Sequence, residues 1–268
     1  MNMDRKLFDR LRAIIYENSG IALHEGKQAL VCARLRKRMR LLGIQDYREY
    51  LNRVSDDDGA ETIGLIDAIS TNVTSFFREP VHFDFLAKAM SGWLNAGAKR
   101  FRFWSAACAT GEEPYSIAMT LLEAVKDQPV DMRILATDIS AQALEKGMRG
   151  IYDEQKMSPV APYLRNKYFR RVKNQNGASY AVNAALAKPI LFRRFNLSAV
   201  PFPMSGPMDA IFCRNVLIYF DQRTRKNLLD ETYRLLKTGG YLMVGHAESL
   251  TGMLSSFKPV RPSVYIKE

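Results

Sequence analysis

The chain has 268 residues, with 39 Lys+Arg against 28 Asp+Glu and a formal net charge of +11. Hydrophobic residues make up 47% and charged residues 25%, globular proportions that exclude a disordered or fibrous chain; the length suits one large or two modest domains. No apolar run approaches the ~18 residues of a membrane span, and the charged start MNMDRKLFDR lacks a signal-peptide core, so a cytosolic protein without membrane insertion is expected.

The first ~70 residues read as short helices. Leu7, Phe8, Leu11, Ile14 and Ile15 fit one helical face, with Gly20 as the stop. A second helix is expected from about Glu25 to Leu42, with Val31, Leu35, Met39 and Leu42 as its seam and Gly43 at its end. Five basic residues crowd onto it: Arg34, Arg36, Lys37, Arg38 and Arg40. At about 100° per residue, Arg36, Lys37 and Arg40 lie away from the seam, while Arg34 and Arg38 flank its edges. Weaker helices follow around Tyr47–Val54 and Ala60–Ile69.

The pattern then changes to strands alternating with helices. Arg100–Ala106, Met132–Asp138, Pro189–Phe195, Met208–Arg214 and Gly240–Gly245 are apolar strand candidates, and Ala141–Met148 and Gln222–Leu236 are helices between them. Such alternation implies a mostly parallel sheet covered on both faces. The stretch from about 158 to 187 breaks the alternation. With NQNG (Asn174–Gly177) as a turn, it reads as a small antiparallel β insertion.

Ligands of such sheets bind at the carboxyl ends of the strands. The first strand runs into SAACATGEEPYS (Ser105–Ser116), whose small residues admit a ligand close to the backbone at a helix start. The second ends in Asp138, 27 residues beyond Gly111, a carboxylate placed for the hydroxyls of a ribose. GxGxxG is absent, and the pair Glu112–Glu113 would repel a pyrophosphate. A cofactor with a ribose and no phosphate fits better, which points to S-adenosylmethionine; a tight turn whose acids cap a helix is the alternative. The three cysteines (Cys32, Cys108, Cys213) and three histidines are scattered, with no metal-ligand spacing and no disulfide framework, so no metal is expected. Cys213 reads as a buried thiol and His246 as a packed structural residue.

Four motifs in order, TNVTSFFRE (Thr71–Glu79), WSAACATGEEPYSIAM (Trp104–Met119), FCRNVLIYFD (Phe212–Asp221) and GHAES (Gly245–Ser249), make the whole chain resemble the CheR family of chemotaxis-receptor protein-glutamate methyltransferases. The resemblance implies an α/β, class I (Rossmann-like) methyltransferase sheet over residues 73–268, with an N-terminal all-helical domain over 1–72 and a β insertion at about 158–187. It implies S-adenosylmethionine as cofactor, S-adenosylhomocysteine as product, and methyl esterification of glutamates on the cytoplasmic helices of chemoreceptors. Asn72, Thr74, Arg78, Glu113, Asp138, Asn196, Leu197, Arg214, Asn215 and Val216 would then line the cofactor site, with Arg78 and Tyr219 beside the transferred methyl. The bland alternatives are an Arg78 salt bridge to Glu79 or Glu112, and Tyr219 as a core aromatic. Glu248 would cap or brace.

The basic helix would meet an acidic receptor helix through Arg34, Arg36, Lys37, Arg38 and Arg40, rather than serving as a merely solvated face. RNA is the rival acidic partner, but no basic strand pair interleaved with aromatics and no Asn/Asp-Pro-Pro-Tyr motif is present. A monomer that binds no nucleic acid is expected. The turn VKNQNGAS (Val172–Ser179) carries one glycine, and leaves open whether the insertion holds a receptor tail as it does in some family members.

Overall fold

The structure is a computed structural model that describes residues 3–126, 128–174, 177–248, 250 and 256–268. Four helices build the N-terminal domain: α1 (Arg5–Ser19), α2 (Gln28–Leu41), α3 (Tyr47–Asp56) and α4 (Ala60–Ile69), with a 3-10 turn at Glu25–Lys27 leading into α2. The Asp4 carboxylate accepts from the Leu7 amide at 2.8 Å and caps α1, and Gly20 ends it with φ +70°. Leu11, Ile15, Leu35, Tyr50, Leu51 and Leu65, each at the helical spacing of its own element, are completely buried in one core.

The second domain opens with α5 (Val81–Asn95), a helix the sequence reading passed over, followed by β1 (Arg100–Ser105), α6 (Glu112–Val125), β2 (Asp131–Asp138) and α7 (Ala141–Arg149). The insertion comes next, with β3 (Ile151–Asp153), α8 (Pro162–Tyr168), β4 (Phe169–Asn174), β5 (Gly177–Val182) and α9 (Ala184–Ala187). The chain then returns to the main sheet through β6 (Ile190–Arg194), β7 (Met208–Phe212), α10 (Gln222–Leu235), β8 (Leu236–Met243), β9 (Phe257–Arg261) and β10 (Val264–Lys267).

The main sheet has the order β6-β2-β1-β7-β8-β10-β9, parallel from β6 to β8 and closed by an antiparallel pair. Side chains alternate between its faces as the pleat requires. Phe103, Phe212 and Met243 pack under α5 and α6, while Trp104, Ile211 and Leu242 pack under α10. The terminal pair was not foreseen, because Pro259 and Pro262 argue against strands. Pro259 is accommodated on β9, which is the edge of the sheet and needs no outward donor. Gly239 and Gly240 lie inside β8 rather than ahead of it, beside a register irregularity opposite Met208 and Ala210.

The insertion is a three-stranded antiparallel sheet, β3-β5-β4. It begins at Ile151, earlier than the expected 158, because Ile151–Asp153 is too short to carry a strand signal of its own. The tip of its turn, residues 175–176, lies outside the described residues.

Candidate functional site

The carboxyl ends of β1, β2 and β7, the 70–80 linker and the start of α2 converge on one cleft. It encloses about 1160 Å³, part of it open to solvent. Asn72, Thr74, Arg78, Glu113, Asp138, Asn196, Leu197, Arg214, Asn215, Val216 and Tyr219 all line it, as do Ala106, Ala107 and Ala109, whose small side chains leave room over the β1 turn.

The β1 turn depends on Gly111, which sits at φ +94°; a Cβ there would stand 2.8 Å from the Gly147 Cα and from the Tyr152 hydroxyl. The turn separates the two glutamates that the sequence placed together. Glu112 is completely buried and points away to Thr110 (2.6 Å) and Lys156 (2.5 Å). Glu113 faces the cleft, accepting from the Ser105 hydroxyl at 2.6 Å and from Arg214 Nη1 at 2.8 Å. Burial pushes its carboxyl up, against the pull of Arg214 and Ser105.

Arg214 holds a second acid. Its Nη2 donates to Glu79 Oε2 at 2.9 Å and to the Arg78 carbonyl at 2.5 Å. Burial works to raise Glu79, but the hydrogen bond and charge of Arg214 outweigh it and bring that carboxyl below its ordinary value. Two carboxylates share the one Arg214 guanidinium, so that cluster carries one negative charge in excess, next to the cationic Arg78 that lines the same cleft. A bound sulfonium and its α-ammonium are complementary to that charge, so the residues fit the expected cofactor.

Asp138 is buried and already occupied on both oxygens, by the Ala109 amide at 2.8 Å and the Ser140 amide at 2.9 Å. It ties the ends of β1 and β2 together as well as lining the cleft, and burial pushes its carboxyl up against those amide bonds. Asn72 reaches across to the Ser140 hydroxyl at 3.4 Å. Asn196 is spent on structure: its carbonyl accepts from Ser198 and its amide donates to the Asn18 carbonyl at 3.0 Å. Leu197 is buried beside it.

The backbone around Arg78 is strained. Phe77 (φ +50°) and Glu79 (φ +57°) both occupy the left-handed region that side chains disfavour. Three contacts hold that shape: the Phe77 amide on Ser116 Oγ at 2.9 Å, Arg214 on the Arg78 carbonyl, and Phe76 buried edge-on against Tyr152 and Phe169. Arg78 itself is half-buried and donates only to the Val73 carbonyl (3.0 Å) among the described residues, so neither Glu79 nor Glu112 claims it.

Asn215 is also left-handed (φ +57°), with its amide on Glu248 Oε2 at 2.6 Å. Glu248 takes the Gly245 and Ile218 amides too, at 2.7 and 3.3 Å, and so braces the turn that carries Tyr219. That turn meets the helical domain: Ile21 bridges Phe220, the Ala22 amide donates to the Tyr219 carbonyl, and the Tyr16 hydroxyl donates to Asp221 at 2.7 Å. The Tyr219 ring is half-buried at the cleft, 5.6 Å from Lys27 Nζ, and is not a core aromatic.

Two members of the basic set differ from expectation. Arg38 forms a two-point pair with Glu61, at 3.0 and 2.6 Å, under Gly64 of α4. Arg34 donates to the Ile69 and Ser70 carbonyls and the Thr71 hydroxyl, and so pins the linker. Both lie at the seam's edge, where α4 covers them; Arg36, Lys37 and Arg40 are exposed. His246 is another departure, since its side chain is 48% exposed rather than packed. Cys213 is fully buried, and burial pushes its thiol well up.

Comparison with known proteins decides the family. The description "CheR methyltransferase, all-alpha domain" fits residues 6–70, and "CheR methyltransferase, SAM binding domain" fits residues 72–266. The chain belongs to the CheR methyltransferase family. Its cofactor is S-adenosylmethionine. The chain is 39% identical to the "Chemotaxis protein methyltransferase" of Borreliella burgdorferi, over 100% of this chain and 96% of that protein. It is 38% identical to the Escherichia coli K12 protein of the same name, over 96% and 89%, and 36% identical to "Chemotaxis protein methyltransferase 2" of Pseudomonas aeruginosa, over 97% and 92%. As a CheR-family chain it is an S-adenosylmethionine-dependent methyltransferase, with an all-helical domain ahead of a mixed seven-stranded sheet.

Proposed function

We propose that the chain esterifies glutamate side chains on the cytoplasmic helices of bacterial chemoreceptors, acting as a cytoplasmic monomer recruited to receptor arrays. The observation that carries this reading is the cleft on which Arg78, Tyr219, Glu113 and Arg214 converge, in a chain whose relatives are named as chemotaxis methyltransferases. Among the described residues no helix is long and apolar enough to cross a membrane.

S-adenosylmethionine, when bound, supplies an electrophilic methyl group on a sulfonium. A glutamate carboxylate, with an ordinary pKa of about 4.3, is already an anion at pH 7 and needs no base. Transfer would join that methyl to a carboxylate oxygen and leave the electron pair of the broken S–C bond on sulfur, so no residue would have to move a proton. The residues therefore work by position. Arg78, paired with no acid among the described residues, orients the incoming carboxylate, and the strained backbone aims it. Tyr219 offers a ring face and a hydroxyl at the same mouth. Glu113 and Glu79 fix Arg214 and supply the negative field for the sulfonium, and Asp138 takes the ribose.

Outside the cleft, Arg36, Lys37 and Arg40 form the exposed face that steers an acidic helix. The test is methyl-labelled S-adenosylmethionine with chemoreceptor membranes in one tube and total RNA in another. Label in receptor protein that mild alkali releases as methanol supports the ester; label in RNA, or alkali-stable label in protein, overturns it.

A further inference from the structure

Two of the three histidines in the chain, 164 residues apart, meet behind Arg214. The His82 and His246 rings lie edge to face with centroids 5.2 Å apart. His82 Nδ1 is 3.5 Å from Glu79 Oε2, and His246 Nε2 is 4.0 Å from the same oxygen. The three ligand atoms lie within 4.8 Å of one another. His82 is completely buried, and neither of its ring nitrogens has a hydrogen-bond partner among the described residues. Buried polar atoms are paired almost everywhere in folded proteins, and each orphan is costly. Neither nitrogen is given any task by the transfer reaction.

We propose that Glu79, His82 and His246 form a three-ligand site for a divalent transition ion of the Zn²⁺ class, and that occupancy draws Glu79 off Arg214 and weakens cofactor binding. Two imidazoles and one carboxylate suit borderline ions, whereas Mg²⁺ and Ca²⁺ require oxygen ligands. Bonds of about 2.0–2.2 Å require the three groups to close in. The exposed His246, on the turn after β8, is the group free to swing, and its exposed side offers the ion an entry path and an open fourth position. Glu79 is the hinge of the effect. Its Oε2 is the atom that Arg214 holds at 2.9 Å, so metal and guanidinium compete for one oxygen. Arg214 in turn fixes Glu113 and the Arg78 carbonyl at the cleft. The ion is thus an inhibitor and not a cofactor of the transfer.

The test titrates Zn²⁺ into the untagged full chain by competition with a colorimetric chelator. Wild type should bind one ion, and His246→Ala, altered at a half-exposed side chain, should bind at least about tenfold more weakly, since even an outer-shell partner is worth roughly 10–100-fold. His24→Ala, at the remaining histidine, should bind as wild type does. S-adenosylhomocysteine affinity, measured by calorimetry, should fall as Zn²⁺ saturates wild type and hold steady in His246→Ala. Absence of 1:1 binding, equal binding by His246→Ala, or loss in His24→Ala would overturn the site. Binding that leaves S-adenosylhomocysteine affinity unchanged would overturn the coupling to the cleft. None of these readouts depends on which macromolecule is methylated.

Discussion

Each domain pairs an arginine with inward-turned acid, half-buried Arg38 with Glu61 and buried Arg214 with Glu79 and Glu113, and the two networks differ in what they leave over. In the helical domain, Arg38 and Glu61 pair at two points, and the Tyr50 hydroxyl donates to the same carboxylate at 2.7 Å. The charges cancel, and the cluster faces α2, α3 and α4 alone. At the cleft, Arg214 is shared between Glu79 and Glu113, its Nε is unpaired, and one negative charge remains. The first arrangement is closed and specifies how helices pack. The second is open, with an unbalanced field turned toward a ligand, which is what separates a binding site from a structural ion pair of similar composition.

The sharpest way to break that contrast is to remove each arginine. Arg214→Met strands the buried Glu113 and the half-buried Glu79 and should cost about 3–5 kcal/mol of stability together with cofactor binding. Arg38→Met should cost stability at or below the low end of that range, since Arg38 is partly exposed, and leave cofactor affinity untouched. Urea unfolding and calorimetry with S-adenosylhomocysteine separate the two; equal loss of cofactor binding in both variants would refute the contrast.

Asp138→Ala should weaken the cofactor by about 1.5–3 kcal/mol, the worth of hydrogen bonds to a charged group, or roughly 10- to 150-fold in Kd. Because Asp138 also ties β1 to β2, its melting temperature should fall as well. An unchanged Kd would remove Asp138 from the ribose role.

Arg36→Glu with Arg40→Glu probes the exposed face. Receptor methylation should drop roughly tenfold and lose much of its salt dependence, as exposed pairs worth about 0.2–1 kcal/mol each become like-charge contacts. Cofactor affinity should stay as in wild type. A parallel loss of cofactor affinity would mean that the face is not separate from the cleft.

The smallest effect is a pH slope. Burial works to raise the Glu61 carboxyl, but hydrogen bonds from Arg38 and Tyr50 outweigh it and set it below its ordinary value. Its stabilisation is therefore complete above the unfolded value and is lost as pH falls through the lower folded value. Compared with wild type, Glu61→Gln should be less stable at pH 7 and should lose less stability on acidification below about 4.3. Parallel stability–pH curves for the two proteins would show that Glu61 does not titrate in this way.

Most of the architecture was legible because it is written in local periodicity. Helix α1 runs where Leu7, Phe8, Leu11, Ile14 and Ile15 share a face, and β1, β2 and β7 lie within a residue or two of their apolar runs. The candidate site was legible to the extent that motifs name residues, and the β1 turn with Asp138 follows from strand ends alone. Of what escaped, β3 is three residues long and β9 carries its proline on the edge, whereas the 15-residue α5 has an ordinary buried helical face (Phe83, Leu86, Met90) and went unassigned all the same.

Sequence alone determined the helical-then-α/β order, the parallel sheet and the cofactor class, and the family resemblance named some of the residues that line the cleft. Only the tertiary structure decided which charges are free. It turned Glu112 inward and Glu113 outward across one turn, took Arg34 and Arg38 out of the basic face, committed the Asn196 amide to the helical domain, and brought His82 to His246. The reason is physical: periodicity records which face of an element is buried, whereas the partner of a charged atom is set by elements far away in the chain.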